Sequence, residues 1–464
     1  MTPVNRREFL TGLLGTAALP ATFQIRGQST QPSAIVFILA DDMRWDAFSA
    51  AGNSALQTPN LDWLASTGHQ FKNNFVTTSI CPSSRASIMT GEYAGRHGIW
   101  DFTTPLSKNQ QQNSLPFLLR TWGYQTAFFG KWGIGDTPPT DLFDHWAGYM
   151  GQGEYFGESH EGHLTDSLNH QVTTWLESYE GDRPPALFIS TKAPHVQDEI
   201  PGGFLPAPDH AELYKDVYFE PPLSAKASEF QKLPEFLRSS EGRRRWQARF
   251  STPERYQQTC RQYHRLIAGI DVLTGSITKT LRTKRLLAES LIAFSSDNGF
   301  LLGEHGLAGK WWGFEESIRT PLLIKLPVSM DVSPTKQIQQ MSLNIDIAPT
   351  ILDIAGVPRP KSMQGQTLLP HMQGNNTPGR KDFLYEHHFS HPHIARTLGV
   401  RSETFKYLTY PDYSQTQEML FDLTADPFEL TNLANNDEYR KVLELHRARM
   451  QELNFNVQQP RLST

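Results

Sequence analysis

The chain has only two cysteines, Cys81 and Cys260, among its 464 residues. One disulfide is arithmetically possible, but a framework of several disulfides is excluded. The formal net charge is −5 at pH 7, which gives no electrostatic case for binding nucleic acid. No stretch reaches the about 20 consecutive apolar residues that a membrane span needs. The sequence therefore predicts neither a nucleic-acid partner nor a membrane span.

The N-terminal segment has the features of a targeting signal. Paired arginines, Arg6 and Arg7, are followed by Phe9 and Leu10 and by a short apolar run that ends in small residues near Ala21. This pattern resembles a bacterial twin-arginine signal, which is read as an address and does not serve as an anchor. The alternative is a disordered basic tail. We expect residues 1–29 to be a signal peptide and the mature protein to be periplasmic or secreted.

Four continuous apolar runs end directly in polar residues. Such runs are typical of strands buried on both faces of a sheet, and ligands of open α/β sheets bind beyond the carboxyl ends of strands. Amphipathic helical stretches lie between the runs, which favours an α/β/α sandwich with a large mixed sheet. The four runs and the polar groups after them are 34–40 with Asp41 and Asp42, 125–129 with Lys131, 186–190 with His195, and 291–295 with Asp297 and Asn298.

Loop residues at 374–379 mark the best domain boundary. Beyond them, four short strand-like segments and a final amphipathic helix predict a small C-terminal α+β subdomain with a short antiparallel sheet. We therefore assign residues 30–373 to a catalytic domain and residues 374–464 to this subdomain. The proline-bearing, charged segment 202–249 is either an excursion over the site that shapes substrate choice or a structural surface loop.

The stretch from Cys81 to Gly91 places a nucleophile at a predicted helix start, with Arg85 four residues later. First-turn amides and the helix dipole favour a bound anion there, and the fork of Arg85 suits sulfate or phosphate oxygens. A buried cysteine ahead of a capped helix is the alternative interpretation. The remaining candidates form a set of oxygen donors without thiolate or imidazole, which suits calcium or magnesium: Asp41, Asp42, Asp297 and Asn298.

The motif Cys81-Pro82-Ser83-Ser84-Arg85, followed by a helix and Thr90-Gly91, resembles the signature of the type I sulfatases. Ser83 stands where that family most often has proline or alanine. The resemblance, which runs from about residue 34 to 453, implies an alkaline-phosphatase-like fold and an enzyme that hydrolyses sulfuric esters. It also implies a bound Ca²⁺ ion and conversion of Cys81 to Cα-formylglycine by a formylglycine-generating enzyme, with the hydrated aldehyde attacking sulfur.

The resemblance further implies roles for three basic residues. Lys131 and Lys310 match the two active-site lysines of the family and would stabilise charge on the sulfate. His195 matches a proline-histidine pair and would protonate the leaving group or bind the sulfate oxygen near it. Without the motifs around them, each lysine would be read as a solvated surface residue and the histidine as a satisfied buried one.

Gly133 is the clear departure from the family, which usually has histidine at this position in a G-K-W-H-x-G motif. His97 and His305 are candidates for the missing base. The departure also keeps open a protein that binds sulfated glycans but turns them over weakly. A phosphonate or phosphate ester hydrolase of the same superfamily is the other alternative.

The expected substrate is a sulfated carbohydrate or another sulfate ester, or else an N-sulfate. Segments of the C-terminal subdomain resemble the region that contacts the sugar in glycan-desulfating relatives, and subdomain packing is the alternative for each residue. The candidate substrate-binding residues there are His387, His388, Arg396 and Arg401.

Overall fold

The apolar run that begins at Ala34 forms the middle strand of a seven-stranded sheet in a computed structural model. The structure describes residues 31–459 except 199, 201, 334–336, 376 and 414–416, so the predicted signal peptide lies outside the described residues. The strands are β1 (Ala34–Asp41), β2 (His69–Gln70), β3 (Asn74–Phe75), β4 (Gln125–Lys131), β5 (His145–Tyr149), β6 (Pro185–Pro194), β7 (Ser290–Ser296), β8 (Leu301–Leu302), β9 (Ala308–Gly309), β10 (Leu322–Lys325), β11 (Ser342–Leu343), β12 (Asp382–His387), β13 (Thr397–Ser402), β14 (Phe405–Tyr410) and β15 (Gln417–Asp422).

Fourteen α-helices are assigned among the described residues. The longest, α10, has 31 residues and begins with the Thr252 hydroxyl accepting a hydrogen bond from the Arg255 amide and with Pro253 at its first position. The helices are α1 (Pro59–Thr67), α2 (Cys81–Thr90), α3 (Ala94–His97), α4 (Lys108–Gln112), α5 (Leu115–Thr121), α6 (Leu164–Ser178), α7 (Ala227–Lys232), α8 (Glu235–Arg238), α9 (Glu241–Arg249), α10 (Pro253–Thr283), α11 (Glu315–Ile318), α12 (Ile347–Ile354), α13 (Leu369–Met372) and α14 (Arg440–Gln458).

The large sheet is mixed and has the strand order β2-β10-β7-β1-β6-β4-β5. Strand β1 runs parallel to β6 and β7, and β4 runs parallel to β5 and β6. Strand β10 is antiparallel to both β7 and β2. The carboxyl ends of five parallel strands therefore meet at one edge of the sheet, where the first residues of the candidate site lie.

Alternating side chains of β1 enter two separate cores. Val36 and Ile38 pack with apolar residues of α1, α6 and α10 on one face, whereas Phe37 and Leu39 pack with α2, α5 and α12 on the other. Because successive strand residues point to opposite faces, a run that is apolar at every position must be covered on both sides. This arrangement confirms the predicted α/β/α sandwich.

The C-terminal subdomain contains the antiparallel sheet β12-β13-β14-β15. Helix α14 packs on it through Leu443, Met450 and Val457, in a core that also includes Phe75 and Trp312 of the larger part. The predicted small antiparallel sheet is confirmed, and it begins at Asp382, after the loop in which we place the domain boundary.

Three further observations concern the cysteines, the helices and the far edge of the large sheet. Cys81 and Cys260 are both buried free thiols, and Cys260 lies in α10 as a packing residue. None of the helices in the described parts of the chain has the length and hydrophobicity to cross a bilayer. Strand β5, the far edge of the large sheet, was absent from the sequence prediction.

Candidate active site

Three aspartates and one asparagine meet where β1 and β7 end. The strands are parallel neighbours in continuous register from Ala34 to Ala40, so Asp41 at the end of β1 and Asp42 after it emerge beside Asp297 after β7. The Asp42 amide donates to Asp297 Oδ1 at 3.1 Å. Asp42 has a φ of 69°, an uncommon conformation for a residue other than glycine, which turns the chain at the edge of the sheet.

Helix α2 presents Cys81 at its first position, and all ten of its residues are buried. Pro82 occupies the first turn, where its missing amide hydrogen costs nothing, and Gly91 ends the helix with a φ of 68°. Arg85, one turn into the helix, donates from Nε to Asp297 Oδ2 at 2.8 Å and from Nη1 to the Lys131 carbonyl at 2.9 Å. The helix thus fixes a nucleophile position and a cation together.

The Cys81 sulfur lies between a carboxylate group and an ammonium group. Sγ is 3.2 Å from Asp41 Oδ1, and Lys310 Nζ donates to it at 2.7 Å. Burial, and then the negative charges of Asp297 and Asp41, hold the pKa of the Cys81 thiol well above its usual value. The group is therefore a thiol and not a thiolate, and a thiol is a poor nucleophile.

The two predicted lysines each contact a different residue of the Asp41–Asp42 pair. Lys131 at the end of β4 is fully buried, donates to Asp41 Oδ2, and also donates to Gln152 Oε1 at 2.7 Å. Lys310 donates to Asp42 Oδ1 at 2.5 Å. Burial opposes the charge of Lys310, but Asp42 and its acidic neighbours outweigh it and raise the pKa of this ammonium group. Both lysines are positioned as fixed cations.

The oxygen atoms at the strand ends fit a hard cation. Asp42 Oδ2 and Asn298 Oδ1 are buried and have no hydrogen-bond partner among the described residues. Donor atoms of Asp41, Asp42, Cys81 and Asp297 all lie within 4.8 Å of one another. Burial, and then the charges of Asp41 and Asp297 against the opposing effect of Lys310, raise the pKa of Asp42 to about 7. A divalent cation would relieve this crowding of carboxylates.

His195 follows the end of β6 and faces the same cluster. Its Nδ1 donates to the Val196 carbonyl at 2.5 Å, so Nε2 carries the lone pair and lies 3.7 Å from Asp42 Oδ2. Burial, followed by the positive charge of Lys310, holds the pKa of His195 well below its usual value. The imidazole is therefore neutral, with Nε2 directed at the cluster.

Gly133 occupies a position that admits no side chain without displacement. Its φ is 72°, and a Cβ atom there would lie 2.8 Å from Arg85 Cδ and 3.1 Å from Arg85 Nε. The positive φ and the close approach of Arg85 therefore both favour glycine at position 133.

Nine side chains form one connected set of charged and polar groups at the carboxyl edge of a doubly covered sheet. They are Asp41, Asp42, Cys81, Arg85, Lys131, His195, Asp297, Asn298 and Lys310. The sulfatase family model matches residues 33–357, which is more than half of the chain. This chain belongs to the sulfatase family. A second model, described as the C-terminal region of N-sulphoglucosamine sulphohydrolase, matches residues 303–456 of this sulfatase. The predicted family, that of sulfuric ester hydrolases, is confirmed.

Individual proteins agree with this membership. The sulfatase is 28% identical to an N-acetylglucosamine-6-O-sulfatase of Bacteroides thetaiotaomicron over 92% of this chain and 87% of the relative. It is 26% identical to BT4656, solved in complex with its substrate D-glucosamine-2-N,6-O-disulfate, with a TM-score of 0.78 over 92% of this chain and 98% of that one. A phosphonate monoester hydrolase of Agrobacterium radiobacter shares the fold at 22% identity, with a TM-score of 0.74 over 91% and 96% of the two chains.

Neither histidine considered as a replacement base contacts Cys81 in any hydrogen bond or ion pair of the described residues. His97 is buried beside α2, where Nε2 lies 3.1 Å from Ser87 Oγ and 3.2 Å from the Ser83 carbonyl, and Nδ1 accepts from the Ile99 amide at 3.0 Å. His305 stacks on Phe314 with ring centroids 4.0 Å apart. Burial lowers the pKa of both imidazoles to about 3, so both are neutral.

The candidates in the C-terminal subdomain divide into packed and open residues. Arg401 is buried and donates to both carboxylate oxygens of Glu315, at 3.3 and 3.1 Å, which ties β13 to α11 and occupies its guanidinium. Its guanidinium therefore forms an ion pair within the protein, and its contact with substrate stays a prediction. Arg396, half of whose side chain is exposed, pairs with Asp412 on the surface.

The two adjacent histidines of β12 and its end also differ. His387 is fully buried, and neither ring nitrogen has a hydrogen-bond partner among the described residues. His388 is partly exposed, with Nε2 3.0 Å from Glu386 Oε2, and its ring packs against Trp100 in a tilted arrangement with ring centroids 4.9 Å apart. Of this pair, His388 is the one open to a ligand from solvent.

Three polar residues of this site were not predicted from the sequence. Ser190 accepts at Oγ from Arg85 Nη1 at 2.5 Å. Lys192 donates to the Gln152 carbonyl at 3.2 Å and lies over the Tyr155 ring, 5.1 Å from its centroid. Ser190 and Lys192 lie at the same strand end as His195, and this position could have identified them as candidates. Gln152 follows the unpredicted strand β5 and gave no signal.

Proposed function

We propose that this sulfatase hydrolyses sulfate esters of a sulfated glycan, using a nucleophile at position 81 and a bound calcium ion. The observation that carries the proposal is the position of the Cys81 sulfur, 3.2 Å from Asp41 and 2.7 Å from Lys310, at the start of a buried helix. Attack on the sulfur of an anionic sulfate group needs a nucleophile, cations that offset the negative charge, and carboxylates that can hold a metal ion. All three are present at the start of one helix.

The proposal includes conversion of Cys81 to formylglycine by a formylglycine-generating enzyme. The raised pKa of the Cys81 thiol supports this, because a protonated thiol would not act directly as the nucleophile. When formed, the hydrated aldehyde supplies the attacking hydroxyl. Ser83, which stands where the family favours proline or alanine, donates to the Ile99 carbonyl at 2.7 Å and so belongs to the folded helix.

The charged side chains would bind the three sulfate oxygens. A calcium ion held by Asp41, Asp42, Asp297 and Asn298 would neutralise charge on the sulfate and polarise the sulfur. Lys131 and Lys310 donate to Asp41 and Asp42, so both ammonium groups would lie beside the sulfate. Because these cations are already in place, they would stabilise developing charge without rearrangement.

His195 would carry the proton of the leaving group. With hydrogen on Nδ1, Nε2 is the atom that can take up a proton and return it to the oxygen or nitrogen of the departing alcohol or amine. The neutral state of the free imidazole fits this role, since the negative charge of an incoming sulfate ester raises the pKa of a neighbouring base.

A sulfated amino sugar is the substrate class that we infer. The relatives named above act on N-acetylglucosamine 6-O-sulfate and bind D-glucosamine-2-N,6-O-disulfate, and the second family model bears the name of an N-sulphoglucosamine hydrolase. On this chain, Trp100 is 43% exposed and packs at a tilt against His388, so the two rings offer an apolar face and a polar edge to a sugar ring. Export by the twin-arginine route, through residues outside the described range, would place the enzyme where such glycans occur.

Two specific observations favour alternative functions, which the same experiment must test. The fold is shared with a phosphonate monoester hydrolase, and Gly133 leaves the chain without the usual histidine. A phosphonate ester hydrolase would turn over aryl phosphonates faster than aryl sulfates. A sulfoglycan-binding protein would bind the sugar and release no sulfate.

The deciding measurement is sulfate release from sulfated glucosamines and an aryl sulfate, with an aryl phosphonate in parallel. The protein is co-expressed with a formylglycine-generating enzyme, and mass analysis verifies the aldehyde at position 81. We expect sulfate release by the unsubstituted enzyme and none by Cys81→Ala. No release from any sulfate by the aldehyde-bearing protein would overturn the proposal.

A further inference from the structure

Strand β5 brings a tyrosine to the site that neither the motifs nor the proposed mechanism uses. We propose that the Tyr149 hydroxyl donates a hydrogen bond to a sulfate oxygen, on the side of the pocket where Gly133 leaves no side chain. The inference rests on the proposed function for the identity of the anion, and it adds a binding residue specific to this chain.

The position of Tyr149 is set by the register of the sheet. Tyr149, the last residue of β5, pairs with Lys131, the last residue of the parallel strand β4. The Trp132 amide donates to the Tyr149 carbonyl at 3.1 Å, which extends this pairing by one bond. Side chains at paired positions of neighbouring strands project from the same face of a sheet. Tyr149 therefore lies beside the lysine that contacts Asp41.

The hydroxyl of Tyr149 is buried and has no hydrogen-bond partner among the described residues. Burial raises the pKa of this phenol, the negative charge of Asp41 raises it further, and the positive charge of Arg85 opposes the rise. The group thus keeps its proton and is close enough to both residues to sense their charges. A buried hydroxyl left unpaired is costly and calls for a partner, and an anion held beside Arg85 supplies an acceptor.

The loop after β5 fixes the tyrosine against the site. Gln152 accepts from Lys131 Nζ at its side chain and from Lys192 Nζ at its carbonyl, at 2.7 and 3.2 Å. Gly153, with a φ of 68°, lies so close that a Cβ there would be 2.7 Å from Tyr149 Cε2 and 3.2 Å from its hydroxyl. The two lysine contacts thus fix Gln152 of this loop, and the neighbouring Gly153 lets the backbone pass close to the tyrosine ring.

The place left by Gly133 explains why such a donor is needed. A Cβ atom at 133 would meet Arg85, so the chain cannot supply a donor from that position without moving the guanidinium. Tyr149 belongs to the strand next to the one that carries Lys131, and its hydroxyl makes no hydrogen bond with the α2 helix among the described residues. The two features are complementary: close packing of Arg85 removes one donor, and the edge strand adds another.

The test compares Tyr149→Phe with Tyr124→Phe. The Tyr124 hydroxyl is likewise buried without a hydrogen-bond partner among the described residues, but it precedes β4 at the opposite end of the strand from Lys131. Binding of inorganic sulfate is measured by calorimetry on the calcium-loaded enzyme, and melting temperature is measured without sulfate. We expect Tyr149→Phe to weaken sulfate binding about tenfold, or about 1.4 kcal/mol, with a melting temperature unchanged or raised.

Tyr124→Phe should leave sulfate binding unchanged. Equal sulfate affinity in Tyr149→Phe and the unsubstituted enzyme would overturn the inference, as would a lowered melting temperature, which would indicate a structural role, or absence of sulfate binding by the unsubstituted enzyme. The experiment distinguishes failure of this inference from failure of the proposed function. Tyrosine-dependent sulfate binding without ester hydrolysis would retain the inference and reject the function, whereas ester hydrolysis with equal sulfate affinity in Tyr149→Phe and the unsubstituted enzyme would do the reverse.

Discussion

Arg85 Nε donates to Asp297 Oδ2 at 2.8 Å, and both side chains are almost completely buried. The same guanidinium lies 3.4 Å from Asp41 Oδ2 through Nη2. One cation on the nucleophile helix therefore compensates carboxylates from two separate strands. This relationship makes the site part of the folding energetics of the domain, because removing either charge leaves the other desolvated and unpaired.

Replacing Arg85 with glutamine should destabilise the protein by about 3–5 kcal/mol, the range for breaking a buried ion pair from one side. Urea unfolding of the unmodified protein measures this free energy without any need for catalysis. Arg244→Gln is the matched control, since Arg244 is 65% exposed in its pair with Glu241 and should cost less than about 1 kcal/mol. Equal losses in the two variants would show that the buried pair contributes nothing special.

Replacing Gly133 with alanine should lower stability and sulfate release together. The left-handed backbone costs roughly 1–2 kcal/mol for any side chain, and the new Cβ would push on Arg85. Gly98→Ala is the control, because Gly98 has a φ of 73° but a Cβ there meets nothing within 4 Å. We expect similar backbone costs in both and a further loss of activity in Gly133→Ala alone. Full activity of Gly133→Ala would remove the Arg85 contact as the reason for this glycine.

The central strands could be read from the sequence because burial on both faces leaves a continuous apolar run. The same reasoning located Asp41 and Asp297, since their places follow directly from where the runs stop. Strand β5 could not be read in this way. It lies at an edge, its five residues are all half-buried, and glycine and histidine interrupt its apolar pattern. Tyr149 and Gln152 were missed along with it.

Side-chain partners were the other limit of the sequence. Arg401 was expected to contact substrate, yet it binds Glu315, 86 residues earlier in the chain. His97 was a candidate base, yet both ring nitrogens bond within α2 and the loop after α3. A charged or imidazole side chain has many possible partners, and only tertiary packing decides among them.

Calcium should stabilise this protein through Asp42. At a concentration 100-fold above its dissociation constant, a ligand that binds only the folded state adds about 2.7 kcal/mol. We expect added calcium to raise the melting temperature of chelator-treated protein, and Asp42→Asn to lose most of that rise. The increment on calcium addition is the relevant quantity, because Asp42→Asn also alters the contact with Lys310. Asp209→Asn, an exposed site, should retain the full increment. An undiminished rise in Asp42→Asn would exclude this residue as a ligand.

His97 should make stability depend on pH in the mildly acidic range. Burial lowers its pKa from 6.5 to about 3 in the folded protein, so between these values the unfolded chain binds a proton that the folded chain excludes. Stability is then complete above pH 6.5 and falls by about 1.4 kcal/mol per pH unit below it, or about 2 kcal/mol by pH 5.

His97→Gln keeps an amide that can hydrogen-bond to the Ser83 carbonyl and cannot be protonated in this range. We expect it to be about 1 kcal/mol less stable than the unsubstituted protein at pH 7 and equally or more stable at pH 5. Urea unfolding followed by circular dichroism at both pH values measures the crossing, with the exposed His170→Gln as the control that should show none. Parallel stability curves for His97→Gln and the unsubstituted protein would mean that this imidazole is protonated in the folded state, and that its contacts with α2 do not depend on the neutral form.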